Sequence, residues 1–455
     1  MPTPSQPLAA RPQRGDELEL TIDSLAFGGA GVARLDGYVV FVTGGFPGDR
    51  VRALVRKRKR AYAEATAQEI LEPSPDRVPP LADHPGAAWQ VLSYERQLEV
   101  KQQQVEDSLR RLGRLDGFTL DPIVPAEQTW RYRNKVEYSF GTDANGRLIC
   151  GFHAPGRWEE IVEVTDCLLV SESSNELRER VVEWCRSQGL PAYDRRSGEG
   201  VLRNLVVREG RRTGQLQVRL LTSSQPDLDL ASLLGAAQPV EGLLWTQLDN
   251  LAEVTHGGQT ELVSGTEYLE EEIGGLRLRI SPEAFFQTNT EMAERLAAAL
   301  VEFSHLGGTE RVYDLYCGIG TLGLLLAPRV AEVWGLEIVE GAVADAIQNA
   351  RLNEITQARF FAGDVRLAMR ELVAQAGRPD LLVVDPPRAG LSQKVVRRII
   401  EASPSRIVYV SCNPTTLAPN AAQLAEAGYV LRRVRPFDMF PQTPHIECVA
   451  LLERG

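Results

Sequence analysis

The sequence predicts a multidomain α/β protein with a small OB-type β-barrel first, an α+β domain in the middle and a C-terminal Rossmann-like, doubly wound parallel sheet. Three observations carry this. Glycine-punctuated β-rich runs fill residues 11–71, strict βαβ alternation starts near residue 276, and residues 120–275 mix strand and helix patterns without an internal repeat. A chain of 455 residues is long enough for two to four such units.

Taken in order, ELELTIDSL, AFGGAGVARLDG, YVVFV, GDRVRALV and AYAEATAQEIL read as five short strands with Gly turns, the pattern of a small antiparallel barrel. Residues 72–119 form a linker with a helix expected to pack on the C-terminal domain. Its first part, EPSPDRVPPLADHPG, is rich in Pro. YERQLEVKQQQVEDSLRRLG (94–113) then brings Leu98, Val105 and Leu109 back at helical spacing, with Gly113 placed as a C-cap. In the middle domain WRYRNKVEYSFG, LRNLVVRE and QLQVRLL read as strands and SSNELRERVVEWCRS as a helix.

In residues 276–455, RVYDLYCG, EVWGLEIV, RFFAGD, DLLVVDPP and RIVYVSC alternate with helical segments, and YVLRRVRPF with IECVALLE should close the sheet as an edge hairpin. Ligands of such sheets sit beyond the carboxyl ends of the strands, so the residues just after each strand carry the chemistry.

Composition narrows the class. Charged residues at 24% and hydrophobics at 43% exclude wholesale disorder, no apolar run reaches the roughly 20 residues of a membrane span, and the N-terminus lacks a secretory h-region, so a cytoplasmic protein is expected. Six Cys form no disulfide framework. The net charge of −11 is unevenly spread. Residues 1–70 hold 10 Lys/Arg against 8 Asp/Glu and residues 276–455 hold 19 against 20, so the acidity falls on residues 71–275. A polyanionic partner is therefore not excluded.

After the first strand of the last domain, Gly318, Gly320 and Gly323 satisfy G-x-G-x-x-G, and Glu337 ends the next strand. A tight turn can approach a nucleotide while the acid accepts bonds from ribose hydroxyls. NAD and S-adenosylmethionine (SAM) both fit that much. Asp314, just before the turn, would repel a pyrophosphate and hold a cationic amino-acid moiety. The turn Asp385-Pro386-Pro387-Arg388 also favours SAM.

The fifth strand ends in Ser411-Cys412-Asn413-Pro414, before a helix whose N-terminal dipole should favour a thiolate. Near the C-terminus Glu447 stands among apolar residues in Gln442-Thr443-Pro444-His445-Ile446-Glu447-Cys448. A Cys nucleophile and a carboxylate base beside SAM suit methylation at carbon 5 of a pyrimidine. A thiolate adding to carbon 6 makes carbon 5 nucleophilic, and a base must then remove the hydrogen there.

These pieces, with YRNKVEYSF, SPEAFFQTN, DLYCGIGTLGL, DPPRAGL, SCNP and QTPHIECV in this order, make the chain resemble the SAM-dependent RNA 5-methyluridine methyltransferases of the TrmA and RumA kind, with an N-terminal TRAM domain. The resemblance implies Cys412 as nucleophile, Glu447 as base and Asp385 close to the uracil. It also implies Gln287, Tyr316, Gly318, Gly320, Thr321 (where relatives often have Asn), Glu337, Asp364 and Asp385 as SAM contacts. Many relatives hold a four-iron cluster with Cys residues after the TRAM domain. Here residues 81–90 contain none, and Cys167 resembles an orphaned fourth ligand, so no iron–sulfur cluster and no other metal is expected. His84 reads as a loop residue.

RNA is the expected partner. Arg56, Lys57, Arg58, Lys59 and Arg60 put five charges on the barrel, and Tyr132, Arg133, Lys135 and Arg388 are further candidate contacts. The target should be an unpaired or flipped uridine. The TRAM module favours 23S ribosomal RNA over transfer RNA, and a monomer is expected. The competing readings are an NAD-dependent oxidoreductase and a non-enzymatic RNA-binding assembly factor.

Overall fold

The structure, a computed structural model, describes residues 11–224, 227–249 and 254–455. The barrel is a six-stranded sheet of β1 (Glu17–Thr21), β2 (Ser24–Leu25), β3 (Gly31–Leu35), β4 (Tyr38–Thr43), β5 (Arg50–Arg58) and β6 (Tyr62–Glu72), in the order β1-β5-β6-β4-β3-β2. The single run ELELTIDSL breaks into β1 and the two-residue β2, which gives six strands where the pattern suggested five. Leu20, Ile22, Val40, Val42, Val51 and Val55 fill its core. The Pro-containing linker is pinned to the barrel, because Arg77 donates from Nε and Nη2 to the fully buried Asp49, each at 2.7 Å.

Helix α1 (Tyr94–Asp107) begins at Ser93, whose hydroxyl accepts the N–H of Arg96, and runs into a π-helical turn over Ser108–Leu112. Gly113 is not a left-handed cap: its φ is −77°. A Cβ there would lie 2.8 Å from the Leu109 carbonyl oxygen and 3.0 Å from that of Ala418, so close approach to a later helix is what requires glycine. Strand β7 (Thr119–Leu120) follows.

The middle domain has a seven-stranded sheet, β10-β9-β8-β11-β12-β13-β14, made from β8 (Lys135–Thr142), β9 (Leu148–Ala154), β10 (Arg157–Glu163), β11 (Leu202–Glu209), β12 (Leu216–Thr222), β13 (Gly242–Gln247) and β14 (Gln259–Gly265). Helices α2 (Glu172–Ser187) and α3 (Leu230–Ala237) cover one face, burying Leu177, Val181, Val182 and Leu233 against Val136, Leu205 and Val218. The hairpin of β15 (Leu269–Ile273) and β16 (Leu276–Ile280) straddles residue 275 and packs into the C-terminal core.

That last domain contains α4 (Thr290–Ser304), β17 (Arg311–Leu315), α5 (Thr321–Leu326), β18 (Glu332–Glu337), α6 (Glu340–Leu352), β19 (Ala358–Ala362), α7 (Val365–Ala376), β20 (Leu381–Val384), α8 (Gln393–Ala402), β21 (Arg406–Ser411), α9 (Pro414–Glu426), β22 (Tyr429–Phe437) and β23 (Glu447–Arg454). The sheet order is β19-β18-β17-β20-β21-β23-β22-β7. Helices α4 to α6 bury Leu296, Leu324 and Val343 on one face. Helices α7 to α9, joined by Val105 and Leu109 of the linker helix segment, bury Met369, Ile399 and Leu417 on the other. The terminal hairpin forms, but not at the edge: β23 inserts beside β21, and the linker strand β7 covers β22 in parallel. Strand order reverses between β17 and β20, which opens a crevice at their carboxyl ends.

Candidate active site

Asp314 closes β17 and is fully buried. Its Oδ2 accepts the Gly323 N–H at 2.8 Å, while Oδ1 has no partner. Burial pushes its carboxyl up to about 7. Asp385, one residue past β20, is likewise pushed to about 7 by burial. Both line one cavity with Phe285, Gln287, Tyr316, Gly318 and Thr321. A fully buried carboxyl with an orphaned oxygen beside a half-buried one suits a ligand that brings positive charge.

The glycine turn shapes the cavity floor. A Cβ at Gly320, whose φ is +84°, would meet the Phe360 ring at 3.0 Å, and one at Gly323 would meet Asp314 Oδ2 at 2.7 Å. Gly318 faces open space, and its N–H donates to Glu337 Oε2 at 3.2 Å. Glu337 Oε1 accepts the Val339 N–H at 2.9 Å, so the carboxylate is held across the turn where a ribose would lie. Asp364 caps α7 by accepting the Arg366 N–H and pairs with the Arg366 guanidinium, which holds its carboxyl below the usual range. These residues fit SAM in their donor set and charge.

Asn134, on no catalytic-domain element, grips the loop of Gln287. Its side-chain amide donates to the Gln287 carbonyl and to Thr290 Oγ1, each at 2.9 Å. Arg208 adds bonds to the carbonyls of Ser281 and Ala284 at 2.9 and 2.7 Å. Sequence reading missed both. The only trace was an Asn just before β8 and an Arg on β11, among buried residues that are mostly apolar.

Cys412 and Glu447 meet through the sheet. In the antiparallel ladder of β21 with β23, Ser411 pairs with Cys448, so Cys412 leaves β21 where β23 begins with Glu447, near enough for the charge of Glu447 to act on the thiol. Glu447 is 3% exposed, its Oε2 has no partner, and burial followed by the charge of Asp385 raises its carboxyl well above the usual range. Asn413 caps α9, with its Oδ1 accepting the Thr415 N–H at 3.0 Å and its amide donating to the Arg388 carbonyl at 3.1 Å. The expected thiolate is not what this environment favours. Burial, then the charges of Glu447 and Asp385, push the Cys412 thiol up to about 11, against the opposing pull of Arg388.

The predicted RNA contacts divide. Arg56 to Arg60 are all exposed at the end of β5 and its turn, with Lys57 3.5 Å from Glu64 and Arg58 donating to Gln13 at 3.0 Å. The Arg388 guanidinium lies 6.0 Å from the ring of Phe27, on the barrel's Gly turn. Tyr132 must be corrected: it is 1% exposed and its hydroxyl donates to the Pro441 carbonyl at 3.1 Å, so it supports the loop before Glu447 and presents no ring to a strand. Lys135 is half-buried and pairs with Glu137, and burial and then Arg208 hold its amine below the ordinary lysine range. Arg133 lies over the rings of Tyr132 and Phe440.

His84 is buried in its loop. Its Nδ1 accepts the Gly86 N–H at 3.1 Å, which leaves Nε2 to donate to Cys167 Sγ at 3.3 Å. One thiol and one imidazole do not make the four-thiolate set of an iron–sulfur cluster. Among the described residues no group of three or more His, Cys, Asp or Glu is placed to hold a metal ion, and no helix is long and apolar enough to cross a membrane.

Comparison with known proteins agrees with this arrangement. Residues 236–455 match the tRNA (Uracil-5-)-methyltransferase family and residues 11–67 match the TRAM domain. An RNA methyltransferase of Halalkalibacterium halodurans is 38% identical over 448 residues, covering 97% of each chain. One of Clostridium tetani is 36% identical over 453 residues, covering 97% of this chain and 98% of its own. The crystal structure of a Pyrococcus abyssi tRNA (uracil-54, C5)-methyltransferase in complex with S-adenosyl-L-homocysteine has a TM-score of 0.77 and 28% identity, covering 96% of this chain and 100% of that one. With relatives of this similarity along nearly its whole length, and with the carboxylate-lined cavity beside Cys412 and Glu447, the chain belongs to the TRAM-containing, SAM-dependent RNA (uracil-5-)-methyltransferases.

Proposed function

We propose that the protein methylates carbon 5 of an unpaired or flipped uridine in RNA through a covalent Cys412 adduct. What carries this reading is that Cys412 follows β21 where β23 begins with Glu447, whose charge acts on the thiol. Bound SAM supplies the electrophilic methyl group. Cys412 gives its proton to solvent, and the thiolate sulfur bonds to carbon 6, so the electron pair moves to carbon 5 as an enolate. Carbon 5 then takes the methyl. Glu447 removes the hydrogen from carbon 5, and the returning electron pair expels the Cys412 thiolate and restores the double bond. Asp385 stands between the cofactor cavity and the reacting pair. Its charge acts on both Cys412 and Glu447, so its protonation state tunes both.

Two readings of the RNA remain, each with its own support. The TRAM barrel favours 23S ribosomal RNA. The likeness to the Pyrococcus abyssi enzyme favours transfer RNA, and that match spans 96% of this chain. Mapping 5-methyluridine that disappears on deletion of the gene separates them.

The mechanism is tested with RNA tritiated at carbon 5. Wild type should release about one tritium per methyl transferred. Cys412→Ser should bind SAM and RNA without methylating, and Glu447→Gln should accumulate a methylated protein–RNA adduct that survives denaturing gels. Methylation by Cys412→Ser at the wild-type rate would refute the reading.

A further inference from the structure

The nine residues 438–446 that join β22 to β23 deliver Glu447, and their backbone is held from outside the loop at successive positions. Asn289 donates to the Met439 carbonyl at 3.0 Å, Lys101 to that of Phe440 at 3.2 Å and Tyr132 to that of Pro441 at 3.1 Å. Gln442 is gripped on both sides of its peptide: its N–H donates to Gln97 Oε1 at 2.9 Å, and its carbonyl accepts the Trp89 N–H at 2.9 Å. The Gln97 amide also donates to Gln442 Oε1 at 2.8 Å.

Helix α1 supplies the strongest of these ties. Gln97 and Lys101 lie one turn apart on its buried face, both 0% exposed. Lys101 Nζ is 2.6 Å from Asp438 Oδ1 in an ion pair whose two side chains are both fully buried. Gln442 adopts φ +65°, a left-handed conformation costly for a residue with a Cβ, and it needs outside bonds to persist. Removing one partner of a buried pair leaves the other unsatisfied, so these contacts define one loop geometry. Gln104, one turn further on, donates to the carbonyls of Leu25 and Ala26 at 3.0 and 3.1 Å, so the same helix face holds the barrel's Gly turn.

We infer that Gln97 and Lys101 are positioning residues for Glu447: by clamping Asp438 and Gln442 they set where the carboxylate meets the hydrogen on carbon 5, so the linker helix governs the proton-removal step. The inference rests on the covalent reading above. Cys412 and the SAM cavity lie on other elements, and the charge of Glu447 raises the Cys412 thiol, so displacing the carboxylate removes a hindrance to adduct formation while it slows proton removal.

The test is a single-turnover reaction with RNA tritiated at carbon 5 and methyl-labelled SAM, following methyl transfer, tritium release and denaturation-resistant adduct separately. Gln97→Met keeps the side-chain length and removes its bonds. It should transfer methyl at close to the wild-type rate, release tritium up to about a hundredfold more slowly and accumulate methylated adduct, the scale that a misplacement of about 1 Å produces. Gln442→Gly suits the left-handed backbone, loses the side-chain bond and should slow the same step. Equal slowing of methyl transfer and tritium release, or no change in either, overturns the inference. Glu447→Gln run in parallel separates the two claims. If it traps adduct and Gln97→Met and Gln442→Gly do not, only the clamp is wrong; if it traps none, the covalent reading fails and the clamp with it.

Discussion

Asp314 accepts the Gly323 N–H through one oxygen at 2.8 Å and leaves the other oxygen buried with no partner. Without ligand this is unfavourable for an ionised carboxyl, and burial accordingly pushes it from 3.8 to about 7. The folded chain therefore holds a proton that the unfolded chain releases. The stability from this group is full below about 4 and is lost as pH rises through about 7. Asp314→Asn should raise the unfolding free energy of the ligand-free protein at pH 8 by about 1–3 kcal/mol and weaken SAM binding. Denaturant titration with and without SAM checks both arms. A variant less stable than wild type at pH 8 contradicts the account.

Glu337 should be a direct determinant of cofactor affinity. Glu337→Ala should weaken SAM by about 1.5–3 kcal/mol, the value of hydrogen bonds to a charged acceptor. Because Glu337 also accepts from Gly318 and Val339, Glu337→Gln is the cleaner comparison, keeping shape while removing charge. Unchanged affinity by calorimetry in both variants would remove Glu337 from the site.

The pH profile should report the thiol. With Cys412 pushed up to about 11, its thiolate fraction grows with pH across the neutral range, so kcat/KM for RNA should rise with a log–log slope of about one between about pH 7 and 9. Arg388 is the cation that opposes this shift. Arg388→Ala should therefore lower activity at neutral pH and move the rising limb upward. A flat wild-type profile over that range would mean thiol ionisation does not limit the reaction.

Replacing Arg56 to Arg60 by neutral residues should weaken RNA binding and flatten its salt dependence, by about 0.7–0.9 in log–log slope for each phosphate that the variant no longer neutralises. SAM affinity should stay constant. If the salt slope is unchanged, the run is a solvated face.

What the sequence disclosed and what it hid follow one rule. Chemistry written locally was legible: the glycine turn, Asp385 and Cys412 each follow a strand, Glu447 starts one that runs antiparallel to β21, and the sheet brings these ends to one rim. Properties set by distant partners were not. The helix after Cys412 suggested a thiolate, but the charges that oppose it come from Glu447 and Asp385, on other strands. Tyr132 read as a surface aromatic because its partner, Pro441, is 309 positions away. Gln97, Lys101 and Gln104 did leave a trace, being polar residues recurring at helical spacing on the buried face beside Val105, where an independent surface helix would carry apolar side chains. Gly113 was read as a cap because its contact with Ala418 lies far along the chain.

The strand β7 sets an order of events during synthesis. Thr119 pairs with Arg433, so the outermost rung of the catalytic sheet joins a residue made early to one made near the end. All strand pairings of the barrel lie within residues 17–72, so it can form while translation continues, but Thr119 and Leu120 must wait for about 300 further residues, some 15–60 s at ordinary elongation rates. Until then the linker helix has no complete sheet to rest on, and β22, when it emerges, has an open edge that only this upstream segment covers. A chain cut between the linker and the middle domain would lose that cover. The barrel is thus tied to the catalytic sheet as the last step of assembly, and the two cannot be exchanged as separate modules without carrying residues 94–120 with the sheet.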